Sequence, residues 1–189
     1  MARRTSGFTL IELMITVAIV GILAAMAITH FMRLQLRSKV TEGKSNLASI
    51  RTAEHAYASV SSTFTATAPS PVADPLLGSS RLDWADAGGF DALGWEPEGA
   101  VYFNYRVTTG PGGCPGPGSP CTSFTAEAAS DLDGDGTRNY WGYVQPDGSG
   151  TAPAGVSCLA TGVFDARTGL QDAQSVVGPC SQAMGRTIF

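Results

Sequence analysis

Residues 7–31 read GFTLIELMITVAIVGILAAMAITHF, a run almost wholly apolar from Phe8 to Phe31 except for Glu12. The uncharged part, Leu13 to Thr29, holds about 17 residues, and with Phe8 to Ile11 added it reaches the length a helix needs to cross a bilayer. A carboxylate at membrane depth is disfavoured by several kcal/mol, and charged groups there are usually paired or functional. Glu12 therefore calls for a partner. An ordinary secretory signal, with Arg3 and Arg4 as its basic start and Ala25-Met26-Ala27 as a small-residue cleavage site, fits poorly with an acidic interruption and a run of this length. A plain anchor oriented by Arg3 and Arg4 fits the length and leaves Glu12 unpaired.

The stretch Gly7-Phe8-Thr9-Leu10-Ile11-Glu12, behind a short basic leader and ahead of an unbroken apolar run, resembles the processing motif of type IV prepilins. The resemblance implies cleavage between Gly7 and Phe8 by a prepilin peptidase on the cytoplasmic face, followed by N-methylation of Phe8. It also gives Glu12 a role. Cutting after Gly7 creates an ammonium on Phe8, and Glu12 is the counter-charge that meets the N-terminus of a neighbouring subunit, so that a pair costly to desolvate alone becomes a device for registering chains. Many type IV pilins carry a proline where this chain has Thr29; proline there would remove a backbone donor and favour a kink. Gly21 is then the weak point nearest to it.

Composition is compatible with that expectation. The chain has 189 residues with 23 Gly, 11 Pro and 15% charged residues, which suits one long helix and one loop-rich domain with a small core. Its formal charge of −4 becomes about −6 without Arg3 and Arg4. No Lys/Arg cluster offers the phosphate contacts that nucleic-acid binding by a basic patch needs. The four cysteines, Cys114, Cys121, Cys158 and Cys180, all lie in the second half. In an extracytoplasmic domain such an even count reads as disulfides, and four cysteines allow three pairings. Cys114 with Cys121 and Cys158 with Cys180 is the expected set, because each closes a local Gly/Pro-rich loop. A zinc site is disfavoured, since no C-x-x-C spacing occurs and His30 and His55 are remote.

From Phe31 to about Val60 there is no proline and one glycine, Gly43. Val40, Leu47, Ile50, Tyr57 and Val60 recur at three and seven, the stripe of an amphipathic helix. Phe8 to Val60 is about 53 residues, roughly 80 Å as a helix. Ser61 to Ser80 is rich in Ser, Thr, Ala and Pro and reads as a loop. Ala100 to Thr109 alternates Val101, Phe103, Tyr105 and Val107 with Tyr102, Asn104 and Arg106, the pattern of a strand with two faces. Ser123 to Ala128, Tyr140 to Gln145 and Val163 to Arg167 read as further strands. The expected fold is α+β: a long N-terminal helix, its apolar half protruding, packed on a C-terminal antiparallel sheet as in pilins. The organisation that follows is a cleaved leader at 1–7, an apolar membrane and assembly half at 8–30, an amphipathic half at 31–60 and a globular sheet domain at 61–189.

The stretch SDLDGDGTRNYW (130–141) sets Asp131, Asp133 and Asp135 before Gly136, like the first half of a calcium loop. The twelfth position is Gly142, where such a loop has a bidentate Glu. An acidic hairpin turn competes with calcium as the reading. No other cofactor is called for. Catalysis is not expected: no nucleophile, base and orienting group assemble, the cysteines are spent if oxidised, and GPGGCPGPGSPC (110–121) lacks the Lys-Ser/Thr of a phosphate cradle. The resemblance implies a type IV pilus subunit, inserted in the inner membrane, polymerised into a helical filament with copies of itself and other pilins by assembly machinery in that membrane, and finally extracellular. A pseudopilin of a type II secretion system, or a membrane-anchored binding domain that never polymerises, are the alternatives.

Overall fold

The computed structural model describes residues 7–72, 79–110, 114 and 118–186; the leader residues 1–6, with Arg3 and Arg4, lie outside the described residues. Helix α1, Leu10–Ser61, runs unbroken for 52 residues, about 78 Å at 1.5 Å per residue. Nothing in it breaks the ladder. Thr29 donates its hydroxyl to the Met26 carbonyl at 2.9 Å, and Thr16 does the same to Leu13, so both polar groups are satisfied within the helix. The helix ends where Ser62 turns into the left-handed region at φ 57°, ψ 20°, with its N–H on the Ala58 carbonyl.

The remaining elements are β1 (Thr67–Ser70), α2 (Phe90–Leu93), β2 (Asn104–Thr108), β3 (Phe124–Ser130), β4 (Asn139–Gln145), β5 (Val163–Phe164), β6 (Gln171–Ala173), β7 (Val177–Pro179) and α3 (Gln182–Arg186). Five of the strands form one antiparallel sheet in the order β1-β2-β3-β4-β7, and β5 pairs with β6 separately. This is the α+β pilin-like architecture expected. The segment expected as a loop from Ser61 to Ser80 contains β1, however. Its partner is β2, and it lies at the sheet edge, where Pro69 has no ladder bond to lose. The opposite edge, β7, carries Pro179. The expected strand from Val163 to Arg167 shortens to two residues because Asp165 leaves the ladder for a tight turn, its N–H on the Leu170 carbonyl and its own carbonyl accepting from Gly169.

Both faces of the sheet are covered. Val101, Phe103, Tyr105, Val107, Ala126, Ala128, Trp141 and Tyr143 meet Val40, Leu47 and Ile50 of α1 on one face. Val144, Ala152, Cys158, Val163 and Cys180 form a second cluster on the other. All seven residues of β3 are buried as a result, as in any strand covered twice. The helical stripe is centred differently from the expected one. Val40, Gly43, Leu47, Ile50 and Glu54 are buried, spanning about 80° at 100° per residue, whereas Val60 falls about 120° from their centre and is 88% exposed.

Candidate functional site

At the start of α1, Thr9 is the N-cap, with φ −81° and ψ 150°. Its Oγ1 accepts from the Glu12 N–H, and Glu12 Oε2 accepts from the Thr9 N–H at 2.9 Å and from the Thr9 hydroxyl at 2.6 Å. This reciprocal capping box satisfies two of the helix's orphan donors. Within one chain, Glu12 thus closes the helix start, its carboxylate folded back to within one residue of Phe8. Glu12 also favours the helix through the positive end of its dipole. Gly7 and Phe8 precede the helix outside any regular element. Beyond them every residue from Leu10 to Gln35 is exposed. This is a helix long and apolar enough to cross a membrane, and among the described residues nothing covers the apolar half.

The amphipathic half is fixed to the domain by polar contacts that periodicity did not reveal. Glu42 Oε1 accepts from the Tyr102 N–H at 2.8 Å, and its Oε2 lies 3.6 Å from Arg81. Asn46 donates to the Tyr105 hydroxyl at 2.8 Å and Trp95 donates to Ser49 at 2.7 Å. Burial pushes the Tyr105 hydroxyl far above its ordinary range. Lys44 sits 4.1 Å above the Trp141 ring and Arg51 5.5 Å above Tyr143, while Lys39 and Arg81 cover Tyr102 at 4.7 and 4.8 Å. Gly43 leaves room for Phe103, whose ring would stand 2.9 Å from a Cβ there. At the far end Glu54 is fully buried, with Oε2 accepting from the Thr65 N–H and Oε1 lacking a partner among the described residues. Desolvation pushes Glu54 up to about 7.

Asp131, Asp133 and Asp135 come together at the β3–β4 connection, with oxygens within 4.8 Å of one another. Asp131 is buried and accepts from the Gly134 N–H at 2.8 Å and the Gly136 N–H at 2.9 Å; Asp135 accepts from Thr137. Desolvation raises Asp131, but the Gly136 and Gly134 N–H groups outweigh it and hold its carboxyl below the usual range. Asp133 is raised, by desolvation and then by its hydrogen bond with Asp131 and the Asp135 charge. Gly136, at φ 87°, adopts a conformation other residues avoid. Gly142 is remote from this cluster: it pairs with Glu127 in the sheet, and a Cβ on it would run into the Cys158 sulfur. The position at which a calcium loop needs glutamate is therefore packed inside the second core.

The four cysteines form Cys114–Cys121 and Cys158–Cys180, and none is free. The second bridge is seated by Glu127, a residue the sequence did not single out. Its Oε2 accepts from Val156, and its Oε1 accepts from Ser157 at 2.8 Å and Cys158 at 2.7 Å. Gly155 makes room for this carboxylate, which a Cβ would strike. His55 packs edge-on against Phe64 and Phe124, with ring centroids at 5.5 and 6.1 Å, while His30 lies exposed on the bare half of α1.

A helix half bare and half locked to an antiparallel sheet, opening on a capped Gly-Phe-x-x-x-Glu motif, defines a subunit of the prepilin class. Residues 2–28 match the prokaryotic N-terminal methylation motif. The chain is 32% identical over 214 aligned positions, covering 95% of it and 86% of the relative, to the type IV major pilin protein PilA of Myxococcus xanthus strain DK1622. It belongs to the type IV pilin family. The type IV major fimbrial protein FimA of Dichelobacter nodosus is 55% identical over 47 residues, 25% of this chain and 30% of that one. The type II secretion system core protein G of Pseudomonas aeruginosa strain PAO1 is 44% identical over 55 residues, 29% and 39% of the two chains. No solved structure matches.

Proposed function

We propose that this chain is a structural subunit of a type IV pilus filament rather than an enzyme. It enters the inner membrane as a precursor through the apolar half at 8–30. The prepilin peptidase cuts between Gly7 and Phe8 and Phe8 is methylated. The subunit then joins copies of itself and other pilins through that helix, with the domain at 61–189 outward and the amphipathic half at 31–60 joining the two. The observation that carries this reading is the unbroken α1, whose apolar half has no cover among the described residues while its other half is packed on the sheet. A subunit built this way leaves its largest apolar surface for lipid first and other helices afterwards. The pilus is preferred to a secretion pseudopilus because similarity to a major pilin runs over 95% of the chain, whereas similarity to the secretion protein covers 29%.

Intact mass of the mature protein tests the processing: loss of Met1 to Gly7 plus one methyl group is expected, together with sheared filaments containing this chain under the electron microscope. Gly7→Leu should leave uncut precursor in the membrane, because the bond after Gly7 must be presented by a small residue. Mature filaments from that variant would overturn the assignment of the site.

A further inference from the structure

Charge is distributed unevenly along the chain. Residues 31–60 carry five basic side chains, Arg33, Arg37, Lys39, Lys44 and Arg51, against Glu42 and Glu54, while residues 61–189 carry thirteen acidic and five basic ones. Three of the five stem cations are occupied, for Lys39, Lys44 and Arg51 each lie over an aromatic ring of their own domain. Arg33 and Arg37 are exposed and have no ion pair or ring among the described residues. They stand four apart, on one face of α1, where like charges repel. Such a pair is a liability for the lone subunit.

A complementary surface lies higher on the same molecule. A groove of about 510 Å³ runs between α1 at Glu42–Ser49 and the segment from Trp95 to Val101. Its wall is preset by the Trp95–Ser49 and Asn46–Tyr105 hydrogen bonds and by Glu42 bonded to Tyr102. Trp95 and Pro97 point inward and are buried, so Glu96 and Glu98 alternate outward at the rim, exposed and without a partner among the described residues. We infer that Arg33 and Arg37 of one subunit dock against Glu96 and Glu98 at this groove of a neighbouring copy in the filament. The inference rests on the filament reading above.

The geometry is consistent with a stagger along the helix axis. The centre of the Arg33/Arg37 pair lies about 16 Å below the centre of the groove at 1.5 Å per residue. A copy displaced outward by that distance brings its two arginines level with its neighbour's glutamates. The sense of displacement is the one that brings Phe8 of one copy to Glu12 of another, and its larger size assigns it to a different neighbour of the same array. Each subunit offers both halves of the contact on different surfaces, so the interaction is head-to-tail and propagates without closing, as a filament requires. Such charge pairs set register and exclude wrong packing, since like charges brought face to face are strongly unfavourable.

Charge reversal tests it in cells that carry each variant as the only copy of this chain, reading the yield of sheared filaments against the membrane pool of mature subunit. Arg33→Glu with Arg37→Glu should cut filament yield about tenfold or more while the membrane pool persists, and Glu96→Lys with Glu98→Lys should do the same. All four changes together should restore yield to within about twofold of the unaltered chain, and Arg33→Lys with Arg37→Lys should keep it. Four changes that do no better than either pair overturn the inference. So does a stem reversal that leaves yield untouched, or one that empties the membrane pool without rescue, which would assign the arginines to lipid phosphates instead. Absence of filaments from the unaltered chain would overturn the filament reading itself.

Discussion

Glu54 and Glu12 are both carboxylates on α1, and their surroundings give them opposite consequences. Glu54 is buried with one oxygen unpartnered among the described residues, and desolvation raises it to about 7 from 4.5. The folded state therefore favours the protonated acid. Stability from this group is fully present below about pH 4.5 and is lost as pH rises through about 7, approaching about 3 kcal/mol at pH 8. Glu54→Gln should stabilise the detergent-solubilised full chain at pH 8 and flatten the dependence between pH 5 and 8; melting curves that keep their slope would assign the titration elsewhere. Glu12 instead has both a donor and the helix dipole within its own chain. Removing it costs only a capping interaction, on the order of 1 kcal/mol, yet it also removes the counter-charge expected for a processed Phe8. Glu12→Ala should be cut normally and fail to assemble. Filaments at normal yield would reduce Glu12 to a cap.

At the scale of elements, the β3–β4 connection and the loop before Cys158 solve a similar problem in two ways. The acidic turn closes on itself, with Asp131 taking the Gly134 and Gly136 N–H groups, while Gly142 lies against the disulfide inside the sheet. Without a bidentate ligand there, millimolar calcium should leave the melting temperature unchanged apart from the small shift that magnesium also gives. A rise with calcium alone, lost in Asp133→Ala, would show an ion cage completed by other oxygens. The Cys158 loop gathers three of its backbone N–H groups on a single carboxylate. Glu127 receives three backbone N–H groups, each charge-assisted bond contributing about 1.5–3 kcal/mol. Glu127→Gln keeps the shape and loses the charge and one acceptor. It should lower stability by about 2–3 kcal/mol and speed hydrogen exchange at Val156, Ser157 and Cys158; unchanged exchange would mean that the disulfide alone holds the loop.

For the whole molecule, the two halves of α1 have opposite tasks. The upper half is pinned to the domain by Glu42, Asn46, Ser49 and the ring contacts of Lys44 and Arg51. The lower half stays bare. Non-reducing peptide mapping of the full chain should recover Cys114 with Cys121 and Cys158 with Cys180. Reduction should loosen the domain, at about 2–4 kcal/mol per bridge, and leave α1 helical, because neither bridge includes a residue of it. A crossed pairing would require the loop seated on Glu127 to move.

The sequence by itself determined the helix, its bare apolar half, the N-terminal methylation motif and three central strands. Those signals are local: an unbroken apolar run, a motif within six residues, and alternation such as Val101, Phe103, Tyr105 and Val107 set their element without reference to distant chain. What only the tertiary structure decided depended on partners far apart. β1 has weak strand character and exists because β2 offers it an edge. The centre of the helical stripe includes Gly43 and Glu54, which apolar counting passes over, because Phe103 needs the space of one and Thr65 binds the other. Glu127 looks like any solvated acid in the sequence until the loop 29 to 31 residues later folds over it. The groove that sets Glu96 and Glu98 beside α1, on which the proposed docking of Arg33 and Arg37 rests, exists only once residues 95–101 pack against the helix. Periodicity reports which face of an element is apolar; the polar group that will be buried on that face is chosen by whatever packs there.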